Sequence, residues 1–154
     1  VISHLDVDHI SGIHLLDDAQ SFLVSEPEWN HAQSFQKARC KGILFEPFSL
    51  EPIPFGPYHL GKDLFGDGLV YLVWTPGHTA GQISVLTKVE KGWLLLASDV
   101  GYSRESWNEL VLPGYTFDDK QALQSLQWIQ DFSKRKDCIA VIANHDPSVE
   151  YGIY

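Results

Sequence analysis

The sequence predicts a mixed α/β (α+β) fold. Two observations lead to this prediction: apolar runs of strand length alternate with amphipathic stretches of helix length, and the acidic and histidine residues gather where the apolar runs end. Side chains that carry chemistry commonly lie on loops at strand ends in such folds. With 154 residues, the chain has the length of one domain with its own core, and we expect a single domain over residues 1–154.

The first forty residues predict short elements. We expect a strand end at 1–3, a loop at 4–9 and a short helix at 10–16. A short strand at 22–24 and a longer helix from 25 to about 39 follow. The start of the longer helix has the clearest signal. Ser25 can cap it, Pro27 fits its first turn, and Glu28 stands three residues after the cap.

The remaining residues predict most of the sheet. The stretch 42–66 is rich in Pro and Gly and predicts loops with short strands, whereas 101–119 predicts irregular structure. Asp118 or Asp119 can cap a helix that ends near Lys134, and apolar residues recur through it at every third position: Leu123, Leu126, Ile129 and Phe132. The predicted strands are 70–74, 83–89, 93–97 and 138–143, of which the second and third form a hairpin.

Composition excludes several classes of partner. The formal net charge of −9 disfavours a surface for nucleic acid or for anionic lipid. No apolar run approaches the roughly 18 residues of a membrane-spanning helix. Cys40 and Cys138 are the only cysteines and form no CxxC pair, which indicates a reducing compartment and a cytoplasmic location.

Four segments share one character. SHLDVDH at 3–9, TPGHTAGQIS at 75–84, ASDVGY at 97–102 and ANHD at 143–146 each follow an apolar run and bring His or Asp to the point where it stops. Imidazole and carboxylate are ligands that suit zinc, iron and manganese. The candidate metal ligands are His4, Asp6, Asp8, His9, His78, Asp99 and His145.

The spacing of these residues suits two ions. Residues two apart in an extended segment point the same way, so His4 and Asp6 can face one metal. Asp8 and His9, at the turn into the next helix, can face a second. The two oxygens of Asp99 can bridge both ions, and such a pair activates water for attack on a carbonyl or phosphoryl group. The alternative is that these are turn and capping residues that happen to be titratable.

Taken in order, the four segments resemble the motifs of the metallo-β-lactamase superfamily: HxHxDH, the His of PGHTxG, a bridging Asp after a strand, and a late His. The similarity is greatest to the N-acyl homoserine lactonases, whose PGHTPGHQS and Asp-x-x-Tyr stretches correspond here to PGHTAGQIS and to Asp99 through Tyr102. The resemblance implies an αββα sandwich, two divalent ions, zinc first, and hydrolysis of a small lactone or ester. It also implies catalytic roles for Asp8, which orients the nucleophile, and for Tyr102, at the substrate oxygen.

The chain departs from this pattern at two main places. Asp6 replaces the second His of HxHxDH, as a Glu does in the di-iron branch of the superfamily. The first motif also stands at the start of the chain, so we expect a C-terminal portion that lacks N-terminal strands. Three alternatives stay open: a thioesterase or phosphodiesterase, a di-iron redox protein, and a non-catalytic metal-binding fragment that forms a homodimer.

Overall fold

A sheet with one parallel and four antiparallel pairings forms the centre of the described structure. The computed structural model describes residues 1–16 and 18–149. The sheet order within them is β3-β4-β5-β6-β7-β8, and a separate parallel pair joins β1 to β2. The strands are β1 Phe22–Ser25, β2 Phe45–Phe48, β3 Glu51–Pro52, β4 Leu60–Asp63, β5 Val70–Trp74, β6 Ile83–Val89, β7 Gly92–Ser98 and β8 Cys138–Ala143.

The helices are short apart from the last one. A single 3₁₀ turn at Ile13–Leu15 follows the first helix. The α-helices are α1 Val7–Ile10, α2 Glu26–His31, α3 Ser34–Arg39, α4 Arg104–Glu109 and α5 Asp119–Ser133. The segment that contains α4 and α5 links β7 to β8, and a long crossover of this kind is what a parallel pair of strands requires.

Helix α5 covers one face of the sheet. Asp118 caps it by accepting hydrogen bonds from the backbone N–H groups of Lys120 and Gln121. Leu126 and Ile129 are fully buried against Leu86 and Leu95 of the sheet. Alternate strand residues point to the other face, where Leu72 and Ile83 pack against Phe48.

A second layer of apolar side chains holds the start of the chain. Leu5 and Ile10 are buried with Phe22 and Val24 of β1. Two backbone hydrogen bonds fix the backbone there: the N–H of Ile2 donates to the carbonyl oxygen of Leu23, and the N–H of Ile83 donates to that of Ser3. The first motif is therefore attached both to β1 and to the first residue of β6.

Several boundaries differ from the sequence-based prediction. Residues 1–3 make single hydrogen bonds and no ladder, so the predicted strand end there was wrong. The long helix predicted from residue 25 to 39 is two helices, because Ala32 adopts an extended conformation between them. Helix α4 lies in a stretch predicted to be irregular. Leu123 is 37% exposed, and the small Ala122 takes its place on the buried face of α5.

No helix in the described part of the chain is both long enough and apolar enough to cross a membrane.

We expect Leu126→Ala to lower the free energy of unfolding by about 2 to 5 kcal/mol, because it leaves a cavity between α5 and the sheet. Leu126 is 0% exposed. Leu123→Ala is the matched control on the same helix, and we expect it to cost less than about 1 kcal/mol. Urea unfolding followed by circular dichroism measures both, and equal losses would contradict the packing described here.

Candidate metal centre

The first motif, residues 3–9, runs into helix α1, and its side chains divide between two clusters. Asp6 is the N-cap residue of α1, but its side chain makes no capping bond, and its backbone carbonyl accepts the N–H groups of His9 and Ile10 instead. The carboxylate of Asp6 is thus free to point away from the helix. One turn after Asp6, Ile10 is buried in the core. His9 precedes it and is partly buried, and its ring centroid lies 3.9 Å from that of His4.

The first cluster consists of His4, Asp6 and His78. Their ligand atoms lie within 4.8 Å of one another. Oδ2 of Asp6 is 3.1 Å from Nε2 of His78 and 3.8 Å from Nε2 of His4. His4 and His78 are buried, whereas the side chain of Asp6 is partly exposed.

The second cluster consists of Asp8, His9, Asp99 and His145, and its ligand atoms also lie within 4.8 Å of one another. Oδ2 of Asp8 is 3.6 Å from Nε2 of His9 and 3.5 Å from Nε2 of His145. The side chains of Asp8 and His145 are 58% and 43% exposed, so this cluster forms the solvent side of the site.

Asp99 stands between the two clusters. Its Oδ1 is 3.1 Å from Nε2 of His9, while its Oδ2 is 3.3 Å from Nε2 of His145 and 3.9 Å from Nε2 of His78. The residue is 3% exposed. One buried carboxylate therefore faces imidazoles of both clusters.

Two buried atoms of the site fit a metal ion. Among the described residues, Nε2 of His4 and Oδ1 of Asp99 have no hydrogen-bond partner, although Nε2 of His9 approaches the latter to 3.1 Å. Buried polar atoms are nearly always hydrogen-bonded, so an unpartnered pair calls for an explanation. Imidazole nitrogen and carboxylate oxygen atoms are the donor set of a divalent cation.

The backbone orients the rings. The carbonyl oxygen of Tyr115 lies 2.9 Å from Nδ1 of His78 and accepts a hydrogen bond from it, which directs Nε2 into the first cluster. Oγ of Ser3 lies 3.2 Å from Nδ1 of His4 and 3.3 Å from Nδ1 of His9. Three imidazoles thus have their Nδ1 atoms occupied on the side away from the clusters.

The charges of the site shift its pKa values in opposite directions. Burial lowers the pKa of His4 to about 3, and the neighbouring His9 contributes to this effect. Burial also opposes protonation of His9 and His78, but nearby carboxylates outweigh it and raise the pKa of both. His78 lowers the pKa of Asp6. The pKa of Asp99 is lowered as well, because the surrounding imidazoles outweigh its burial.

Two residues that sequence reasoning did not select support the first cluster. The amide Nε2 of Gln36 donates to Oδ1 of Asp6 at 3.2 Å, and the buried carboxylate of Glu28 accepts from the backbone N–H of Leu5 at 2.8 Å. Ser25 caps α2 as predicted, with its Oγ accepting from the N–H of Glu28. The Glu28 side chain, predicted to complete that cap, turns inward instead.

The clusters open onto a cleft of about 620 Å³, which is within the range of small-molecule sites. Its lining includes Tyr102 and Tyr115 beside the acidic and histidine residues. The ring centroid of Tyr102 lies 5.2 Å from that of His145 and 6.5 Å from that of His78. Burial, together with three nearby carboxylates, raises the pKa of Tyr102, so this phenol keeps its proton.

The structure therefore brings all seven sequence-predicted ligands to one site, with Tyr102 at its mouth. These imidazole and carboxylate side chains come from the segment that runs into α1 and from the loops that follow β5, β7 and β8. The family model of the metallo-beta-lactamase superfamily matches residues 1–141, and the chain belongs to that superfamily.

The relatives of the chain include lactonases. It is 28% identical to the N-acyl homoserine lactonase AttM of Rhizobium radiobacter over 152 residues, which is 96% of this chain and 57% of AttM. It is 31% identical to an N-acyl homoserine lactonase of a Bacillus species, over 99% of this chain and 57% of the relative. The chain thus spans little more than half the length of the curated relatives it matches.

Solved structures confirm the predicted fold. The chain matches an N-acyl homoserine lactone hydrolase, solved with N-hexanoyl-L-homoserine at its catalytic metal centre, with a TM-score of 0.73 and 23% identity. The match covers 95% of this chain and 54% of the other.

We expect the histidines of chelator-treated protein to titrate in two groups. His9 and His78 should gain a proton above pH 6.5, because their pKa values are raised. His4 should stay neutral down to about pH 4, because its lowered pKa of about 3 means that protonation is resisted until well below the ordinary range. Proton and ¹⁵N NMR of the imidazoles measures this, and a His4 ring that titrates near pH 6.5 would contradict the described burial.

Proposed function

We propose that this chain carries the dinuclear metal site of a hydrolase that opens N-acyl homoserine lactones. The observation that carries the proposal is the position of Asp99, whose single carboxylate faces His9 and His145 of the second cluster and, at 3.9 Å, His78 of the first. Membership of the superfamily and the lactonase relatives support it. Residues 1–154 act in this proposal as one domain.

The donor set assigns the ligands. His4, Asp6 and His78 would hold one divalent ion, Asp8, His9 and His145 the other, and Asp99 would bridge them. When bound, the two ions supply Lewis acidity that lowers the pKa of water and polarises a carbonyl group. Two nitrogens and one carboxylate for each ion, besides the shared Asp99, suit zinc, which we propose first, and also iron or manganese.

Asp8 is the proposed proton carrier. Its Oδ2 faces His9 and His145, which leaves Oδ1 to accept a hydrogen bond from the attacking water and to orient it. The carboxyl group is more than half exposed and lies at the open side of the site. It can therefore receive a proton from the water and pass it to the leaving alkoxide.

Tyr102 is the proposed hydrogen-bond donor to the substrate. Its ring lies beside His145 and His78 at the cleft, and its raised pKa keeps the hydroxyl protonated. A donor placed where negative charge develops stabilises the transition state more than the ground state. The phenol would thus act on the carbonyl oxygen of the lactone as the ring opens.

The test uses protein purified without chelator. Elemental mass spectrometry should find about two equivalents of zinc, iron or manganese per chain. The same preparation should hydrolyse N-hexanoyl homoserine lactone, followed by proton release, in preference to a thioester and a phosphodiester. Faster cleavage of one of the latter would overturn the substrate assignment, and two bound ions with no hydrolysis would favour the non-catalytic alternative.

A di-iron redox protein is the second candidate function. Asp6 favours it, because a carboxylate in place of an imidazole gives the first cluster a harder oxygen ligand. Two equivalents of iron with a strong near-ultraviolet charge-transfer band would support this candidate. Two equivalents of zinc, which has no redox chemistry, would exclude it.

We expect Asp99→Asn to lose both metal and activity, because an amide offers one neutral oxygen where the carboxylate offers two charged ones. The loss of ion affinity should exceed the roughly 100-fold that removal of an outer hydrogen-bond partner costs. Asp137→Asn, an exposed carboxylate that pairs with Arg135, is the matched control. A fully metallated and active Asp99→Asn protein would refute the bridging role.

We expect Tyr102→Phe to lower kcat for lactone hydrolysis by roughly 100-fold, the effect of losing one oxyanion donor. Metal content should stay at the wild-type value, since Tyr102 is in neither cluster. Tyr71→Phe is the control, because Tyr71 packs against Phe55 and Trp93 away from the cleft. Unchanged kcat in Tyr102→Phe would show that the ring only covers the site.

A further inference from the structure

Glu28 is a buried acid that the proposed chemistry does not use. It is 3% exposed, and no lysine or arginine within residues 1–16 and 18–149 pairs with it. Three hydrogen bonds hold its carboxylate instead, from Leu5, Thr79 and Gly81. A buried carboxylate is costly to desolvate, so a site that keeps one needs it for something other than burial of area.

The two oxygens of Glu28 reach two different motifs. Oε1 accepts the backbone N–H of Leu5 at 2.8 Å, and Leu5 lies between the ligands His4 and Asp6. Oε2 accepts the hydroxyl of Thr79 at 2.6 Å and the backbone N–H of Gly81 at 3.0 Å. Thr79 directly follows the ligand His78. The carboxylate thus joins the two chain segments that supply the first cluster.

The helix that carries Glu28 is fixed against the second of these segments. Oγ of Ser25 donates to the carbonyl oxygen of Gly81 at 2.5 Å. A Cβ at Gly81 would lie 2.0 Å from the backbone nitrogen of Glu28, so only glycine permits this approach. The loop after His78 therefore contacts the first turn of α2 through its backbone, which leaves Glu28 little freedom to move.

We propose that Glu28 is a positioning residue that sets the distance between the His4–Asp6 segment and His78, and so determines the affinity of the first cluster for its ion. This inference rests on the metal site of the proposed function. Within the described residues the carboxylate of Glu28 makes no hydrogen bond to the second cluster, whose Asp8 and His9 lie in helix α1 and whose Asp99 and His145 follow β7 and β8.

The chemistry requires a carboxylate at this position. The three groups that face it are all donors, and a carboxylate has acceptor sites on both oxygens. In Glu28→Gln, one end of the side chain becomes an NH₂ group and opposes at least one of the three donors. Glu26→Gln is the matched control on the same helix, since Glu26 accepts only from the exposed Ser49 hydroxyl in the described structure.

Calorimetric titration of chelator-treated protein with Zn²⁺ tests the inference. We expect Glu28→Gln to weaken one of two binding events by about 10- to 100-fold and to leave the other within about twofold of wild type. The Nδ1–H resonance of His78, which donates to Tyr115, reports in NMR that the weakened event is at the first cluster. Glu26→Gln should match wild type in both events.

Two milder variants keep the inference testable where Glu28→Gln fails to fold. Thr79→Val removes one donor without changing the shape, and we expect a several-fold loss at the first cluster alone. Thr79→Ser retains the hydroxyl and should restore wild-type affinity.

The positioning role would be overturned if Glu28→Gln bound both ions with wild-type affinity. It would also be overturned if every variant lost equal affinity at the two clusters. Wild-type protein that binds fewer than two ions would overturn the proposed function itself, and the inference with it.

Discussion

The parallel pairing of β7 with β8 is the constraint on which the site depends. Because both strands run the same way, with Ser98 opposite Ala143, their carboxyl ends meet at one edge of the sheet, and Asp99 and His145 follow immediately. Strand β5 has the same direction, since it is separated from β7 by the antiparallel β6. The loop with His78 therefore starts from the same edge, and sheet direction alone brings three candidate ligands together.

The first motif reaches this edge by a different route. It belongs to no strand of the large sheet, and the hydrogen bond from Ile83 to Ser3 attaches it where β6 begins. The contacts of Leu5 and Ile10 in the second core hold it from behind. Four of the seven candidate ligands thus lie on a short segment that tertiary contacts hold in place, whereas the other three follow strands.

Much of this could be predicted from the sequence. The apolar runs of β5 to β8 are long enough to identify strands, the Asp118 cap identifies α5, and the candidate ligands His78, Asp99 and His145 follow three of those runs. Prediction failed where the outcome depends on neighbours distant in sequence. Glu28 has the spacing of a capping residue, and only the approach of Leu5 and Gly81 draws its carboxylate inward. Similarly, helical spacing alone could not show that Ala122, packed close to Gly77, is buried in place of Leu123.

The order of the strands also bears on the local stability of the site. Strand β8 is at the end of the described sheet, with β7 as its one neighbour there, and Ile139 within it is 36% exposed. Sub-global opening reaches such edges at a lower free energy than it reaches the centre of a sheet. Detachment of β8 would carry away His145 alone among the seven candidate ligands, while the strand preceding Asp99 and the loop with His78 stayed folded. Amide exchange protection should therefore be lower in β8, which precedes His145, than in β7, which precedes Asp99.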